Sequence, residues 1–347
     1  MFKQHDYDRM MKKKMITALL LSITSIGTVL AQDSENKPFK HLDFGVTLGT
    51  TGIGVDVSSP VSDMVRLRAG FEMMPSFEQN MHFDVQSFDE DGKLTDSRID
   101  MMSETLYSFT GYKVDGNVTM KGKPNMWNFK LLVDVFPFRN NKHWHVTAGF
   151  HWGSSTIATA ENAIEDSPSL FSVGMYNRMY DNAWKNWNGI YEPFISIGEG
   201  SERIQMELPS EVSDRLLEYG RMAIHMGDYT HDVMDADGNV IHKAGDPYLM
   251  EPNEHSMVTA KVKVNSFKPY LGFGYEGRML KNNDRYRIGF DCGMLFWGGT
   301  PDITTHDGTN LSKDVSGVSG KVGDYVDLIK GVKVFPVLNL KITRRLF

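Results

Sequence analysis

The chain has 347 residues, 44 acidic against 37 basic side chains, a formal charge of −7 and one cysteine, Cys292. The lack of a basic excess argues against a nucleic-acid partner, and a lone cysteine cannot close an intrachain disulfide, so stability must come from a sheet or a core. Beyond the N-terminal region no apolar run approaches the about 20 residues of a spanning helix, which excludes a helical membrane protein but not a β-barrel, where only alternate residues face lipid.

In chain order, Lys12, Lys13 and Lys14 precede an apolar run from Met15 to Leu30, and Ala31 is followed by polar Gln32, Asp33 and Ser34. A basic segment, a short apolar segment and a small residue before a polar start describe a secretory signal peptide. We therefore expect residues 1–31 to be cleaved and 32–347 to be exported. Translation starting at Met10 or Met11 would remove the residues that fit no part of that pattern.

Eight segments then alternate apolar and polar residues with period two, the signature of strands with two different faces. They centre on Leu42–Leu48, Ile53–Ser58, Val65–Met73, Phe129–Val135, Trp144–Trp152, Leu271–Glu276, Tyr286–Phe296 and the C-terminal Val332–Phe347. Their connections differ in kind. Those at Ser59–Asp63, Arg139–Lys142 and Arg278–Asp284 are short, whereas those at about 75–126, 153–265 and 298–331 are long. Short turns on one side and long loops on the other are the pattern of an up-and-down membrane barrel. Only the tight connection Gly49–Gly52 departs from it. A soluble β-sandwich would share the alternation, but loops of this length are rare inside compact domains. Aromatics near the strand ends, Trp144, Trp152, Phe138, Tyr286, Phe296 and Trp297, fit interfacial girdles.

The hairpin GIGVDVSSPVSDMVRLRAGFEMM (Gly52–Met74), the hairpin LLVDVFPFRNNKHWHVTAGFHWG (Leu131–Gly153) and the closing strand VKVFPVLNLKITRRLF resemble those of Gram-negative outer-membrane barrels of the OmpA and OmpX type. The resemblance implies an all-β fold, an eight-stranded antiparallel up-and-down transmembrane barrel with long, partly helical extracellular loops. It also implies residence in outer-membrane lipid, and delivery by the barrel assembly machinery through the strand ending at Phe347.

The faces that carry polar residues would line the lumen. They hold Asp43, Asp56, Glu72, Asp134, Glu276 and Asp291 against Arg66, Arg68, Lys130, Arg287, Lys341 and Arg345. An eight-stranded barrel is only wide enough for side chains, so these charges should pair into a closed plug. The long loops should form a cap, with helices over Ser97–Phe109 and over Glu211–Tyr219, the latter capped by Ser210 and stopped by Gly220. Leu170–Trp187 is apolar enough to pack against it, and Trp184 and Trp187 could meet an extracellular ligand.

Chemical motifs are sparse. His145 and His151 lie six residues apart on one strand, about 20 Å, too far for one metal ion. Asp235–Asn239 has the look of a calcium loop, but its glycine comes two positions early and a hairpin turn fits better. His151 with Ser154 and Ser155 lacks an acidic partner. The expected function is thus a structural or surface-binding anchor, without enzymatic activity or cofactor. The alternatives are a small porin-like channel and a membrane-embedded lipid hydrolase.

Overall fold

A computed structural model describes residues 39–346 apart from 89–102, 105, 108–110, 112–116, 198–203, 236, 282 and 319. The expected signal peptide, most of the expected helix Ser97–Phe109, and Phe347 lie outside the described residues.

Eight strands close into one antiparallel barrel in sequence order. We number them β1 (Asp43–Gly49), β2 (Gly52–Pro60), β3 (Val65–Met73), β4 (Trp127–Val135), β5 (Trp144–Gly153), β6 (Phe267–Leu280), β7 (Asn283–Phe296) and β8 (Val334–Arg345). The ring closes where β1 pairs with β8, from Asp43 opposite Arg345 to Gly49 opposite Asn339. Closure satisfies every strand from both sides and leaves no edge. The turns between β2 and β3, β4 and β5, and β6 and β7 fall at one end, and the long connections leave from the other. The β6–β7 turn is tighter than the sequence suggested, because Arg278 and Asp284 belong to the strands. The register of β6 with β5 runs as far as Tyr275, while β7 stays paired with β8 through Tyr286 opposite Arg344.

Burial in the barrel is the inverse of a soluble protein's. The expected lumen residues Asp43, Asp56, Arg66, Arg68, Glu72, Lys130, Asp134, Glu276, Asp291 and Lys341 are buried, while Leu48, Phe129, Val146, Leu271, Leu340 and Ile342 are exposed. Of the expected girdle aromatics, Trp144, Trp152 and Phe296 face outward. Trp297 does not: it is buried, stacks edge-on against Phe335 and donates its indole N–H to the Val332 carbonyl. It sits one residue past β7, where the chain turns in toward the cap.

The long connections are not a fringe. All three contribute to one five-stranded sheet, in the order 302–305, 259–263, 156–162, 117–124, 79–84. Beside it lie helix α1 (Ser167–Trp187), helix α2 (Ser210–Tyr219) and a sheet centred on strand Arg221–Tyr229. A third helix, α3, spans Gly320–Gly331. In α1, Pro168 occupies the first turn, where its missing N–H costs nothing. Leu170, Val173, Tyr176, Asn177, Tyr180 and Ala183 recur at three- and four-residue spacing and form its buried face. Asn177 grips strand 221–229 at both backbone groups of Met222, and the Tyr176 hydroxyl donates to the Gly220 carbonyl. Helix α2 begins on Ser210 itself, with Pro209 in the capping position and no side-chain cap, so the expected Ser210 cap is corrected. Pro209 holds the extended conformation that position requires. Gly220, at φ 80°, ends the helix as expected. The segment Asp235–Asn239 joins two short strands, with the Asp235 carboxylate accepting from the Asp237 and Asn239 amides, so it is a hairpin turn.

The cap therefore has its own apolar core, including Leu170, Tyr176, Met222, Tyr248, Met250 and Val258. Substituting Leu170→Ala should cost the cap about 2–5 kcal/mol through lost contacts and a residual cavity. Limited proteolysis should then cut within residues 154–266 at lower urea concentration, while the barrel keeps its resistance to SDS.

Candidate functional site

The lumen is built by the period-two phase of eight strands, and its charges stack in layers. At mid-height Arg68 from β3 spans the barrel: Nη2 lies 3.0 Å from Asp134 Oδ1 on β4, and Nη1 lies 2.6 Å from Asp291 Oδ2 on β7. Arg66 binds Asp134 through Nε and Glu276 through Nη1, each at 3.0 Å. Lys341 on β8 reaches Glu276 at 3.2 Å, His145 Nε2 lies 3.0 Å from Asp291, and the Thr147 hydroxyl donates to Asp134. Each carboxylate thus meets several donors, the condition for keeping charge in a low-dielectric interior.

Space for this layer comes from the small residues that alternate with the charges. A Cβ at Gly274 would lie 2.6 Å from both Asp291 Oδ1 and His145 Nε2. The glycine is needed there for room, not for an unusual backbone angle.

Nearer the cap, Glu72 is a second hub. Lys130 Nζ lies 2.8 Å from Asp56 and 3.4 Å from Glu72. His151 Nδ1 lies 2.9 Å from Glu72, and Thr51 and Asn128 donate to the same carboxylate. Above them sits a residue absent from the expected lumen set. Lys268 is buried, and its ammonium donates to Asn128 Oδ1 and the Ser154 carbonyl, each at 3.0 Å. A small apolar group, Leu132, Tyr270, Leu295 and Val337, packs together in the lumen. His145 and His151 are further members of the network that the expected set omitted, although both stand in the luminal phase of β5.

At the short-turn end the paired charges leave an open space. A cavity of about 610 Å³ opens there, bounded by Asp43, Arg66, Phe136, Glu276, Arg287 and Arg345 among others. Arg287 and Arg345 are partly exposed on its wall, and Asp43 makes only long ion contacts: 3.5 Å to His41, 3.6 Å to Arg345 and 4.0 Å to Arg287. Glu276, Arg278, Asp284 and Arg287 of the β6–β7 hairpin wall one side of this space.

His145 and His151 bond different carboxylates, and among the described residues no group of three or more His, Cys, Asp or Glu side chains is placed to hold a metal ion. For the hydrolase alternative, built on His151 with Ser154 and Ser155, the structure corrects the expected lack of an acidic partner, since Glu72 lies 2.9 Å from His151 Nδ1. The structure turns His151 into the lumen toward Glu72, while the Ser154 hydroxyl bonds the backbone of Trp127.

In the cap, Trp184 and Trp187 lie on the last turn of α1. Trp184 is 37% and Trp187 71% exposed, next to exposed Ile190 and Tyr191. The helix is fixed behind them by Arg221, which forms two bonds to Glu251 at 2.8 and 2.9 Å and one to Asp181 of α1. Burial disfavours the charged guanidinium, but Glu251 and Asp181 outweigh that and raise its pKa. Asp307 shows the converse. Burial alone would raise its pKa, yet donors from Thr305, the Thr309 amide and Tyr248 hold it below the usual value.

No protein-family model and no curated protein matches the chain. Solved structures similar to it include Acinetobacter baumannii CarO2 (12% identity, TM-score 0.35, covering 89% of this chain and 100% of that one). Acinetobacter baumannii CarO gives 13% identity and a TM-score of 0.35, covering 89% and 99%. A major outer membrane protein from Thermus thermophilus gives 12% and 0.24, covering 88% and 98%. Likenesses this distant carry no argument about activity.

Two predictions arise from these networks. Arg68→Ala leaves Asp134 and Asp291 short of a buried partner and should cost about 3–5 kcal/mol, read as a lower temperature for loss of the SDS-resistant barrel. Asp307, ionised more readily folded than unfolded, stabilises the cap above the usual aspartate pKa of about 3.9 and loses that contribution as pH falls through its lower folded value. The urea midpoint of the cap should therefore drop between pH 7 and pH 3, and drop less in Asp307→Asn.

Proposed function

We propose that the protein is an outer-membrane barrel that anchors a folded cap at the cell surface, in a structural or surface-binding role. The observation that carries this reading is the inverted burial. A ring of large apolar side chains, including Leu48, Phe129, Val146, Leu271, Leu340 and Ile342, faces outward around a charged interior. In water such a belt would far exceed the few hundred Å² of contiguous apolar surface typical of soluble monomers. In lipid it is the expected exterior of a spanning barrel. Export would follow cleavage of residues 1–31, the barrel assembly machinery would receive the closing strand, and the short-turn end would face the periplasm.

The stacked ion pairs support an anchor over a channel. An ion crossing the lumen would have to displace Arg68 from Asp134 and Asp291, and then Lys130 from Asp56 and Glu72. Trp184 and Trp187, on a helix braced by Arg221, form the part of the cap best suited to contact an extracellular partner, because exposed aromatics on a rigid support supply contact area at low entropic cost.

Gel mobility with and without boiling tests the anchor directly. Unboiled protein should run as a compact band that shifts on heating, and planar bilayers should show no conductance steps after its addition. Solubility without detergent and no heat shift would replace the barrel anchor by a soluble β protein, while regular conductance steps would make it a pore.

A further inference from the structure

We propose that the cavity at the short-turn end of the barrel is a binding site for a sugar acid, a small polyhydroxylated molecule carrying one carboxylate. At about 610 Å³ it falls within the 300–1,000 Å³ typical of small-molecule sites. Its wall gathers buried charges whose mutual contacts are long: Asp43 lies 3.5 Å from His41, 3.6 Å from Arg345 Nε and 4.0 Å from Arg287. Asp43 is 1% exposed, and neither of its carboxylate oxygens takes part in a hydrogen bond. Arg66 Nη2 and Arg345 Nε are also buried and lack hydrogen-bond partners. All three residues line this one cavity. Buried polar groups are ordinarily paired, and leaving them unpaired is costly.

The unsatisfied set is mixed, and the mixture defines the ligand. Two acceptors on Asp43 stand with donors on Arg66 and Arg345. A simple anion would satisfy the guanidiniums and leave the Asp43 carboxylate facing a like charge. A simple cation would do the reverse. Hydroxyl groups donate and accept, so a ring bearing several can serve Asp43, while a carboxylate on the same ring takes the charge-assisted bonds of the arginines. The balance of charge favours that carboxylate, since six lysine and arginine side chains line the cavity against four acidic ones, Asp63 among them. Lys40 and Lys142 also line the cavity and form no ion pair among the described residues. Arg278, in contrast, is already neutralised by Asp284 at 2.7 Å. Phe136 gives the wall one flat apolar surface, held in place by the Arg66 guanidinium 5.1 Å above its ring.

The test is saturation-transfer NMR on full-length protein in a zwitterionic detergent without a sugar headgroup, with glucuronate, glucose and acetate as probes. Glucuronate should bind saturably with a Kd in the range of about 1 mM, and glucose and acetate should each bind at least about tenfold more weakly. Arg345→Gln should weaken glucuronate about tenfold, and Asp43→Asn should erase the preference for glucuronate over acetate. Lys142→Gln changes an exposed residue that pairs with no described side chain, so its folding is secure. It should weaken glucuronate about threefold while leaving glucose unaffected. Acetate competing as well as glucuronate, glucose binding equally, an unchanged Kd in Lys142→Gln, or no saturable signal would each overturn the proposal. The heat-shifted band of every variant separates loss of the site from loss of the barrel, so the anchor reading is judged independently.

Discussion

The structure turns on Arg68. This guanidinium leaves β3, crosses the lumen and meets carboxylates on β4 and β7. Around it the other mid-height charges are arranged, since Asp134 is shared with Arg66 and Thr147, and Asp291 with His145 and Lys341. A barrel of this size encloses little more than its own side chains, so the interior is a problem of charge placement before it is one of shape. The glycines at luminal positions are the other half of that solution. They remove volume where guanidinium and carboxylate groups have to meet.

The same constraint explains the asymmetry between the two ends. Toward the cap, Lys130, Glu72, His151 and Lys268 share the lumen with an apolar group. Toward the turns a cavity stays open beside the β6–β7 hairpin, and Asp43 is left with cations just beyond hydrogen-bonding distance. The open space thus falls among polar groups.

Much of the barrel was legible because a period of two is a strong local signal. All eight strands follow the alternation, and the connections sort by length as an up-and-down barrel demands. What escaped had physical causes. Lys268 shares the luminal phase of Tyr270 and Glu276, but Pro269 reads as a strand end, and only the paired register with β5 carries the strand back to Phe267. Trp297 matches a girdle by composition, yet it lies past its strand, where the alternation no longer decides direction. The cap was legible only in fragments. Leu170–Trp187 announced an apolar element and Gly220 a helix end. The five-stranded sheet joins segments more than two hundred residues apart, and nothing in a short window reports such pairing. The open cavity was invisible for a similar reason, since it depends on where neighbouring strands stop.

That sheet has a consequence for assembly. Its strands come from all three long connections, with segments 156–162 and 259–263 in the interior and 79–84 and 302–305 at the edges. No single connection can complete it. The layer over the mouth therefore needs the hairpins beneath it to hold all three connections on the same side. Contacts of such long sequence separation form slowly. The cap is thus a clasp across the barrel mouth, joining loops that no turn connects to one another.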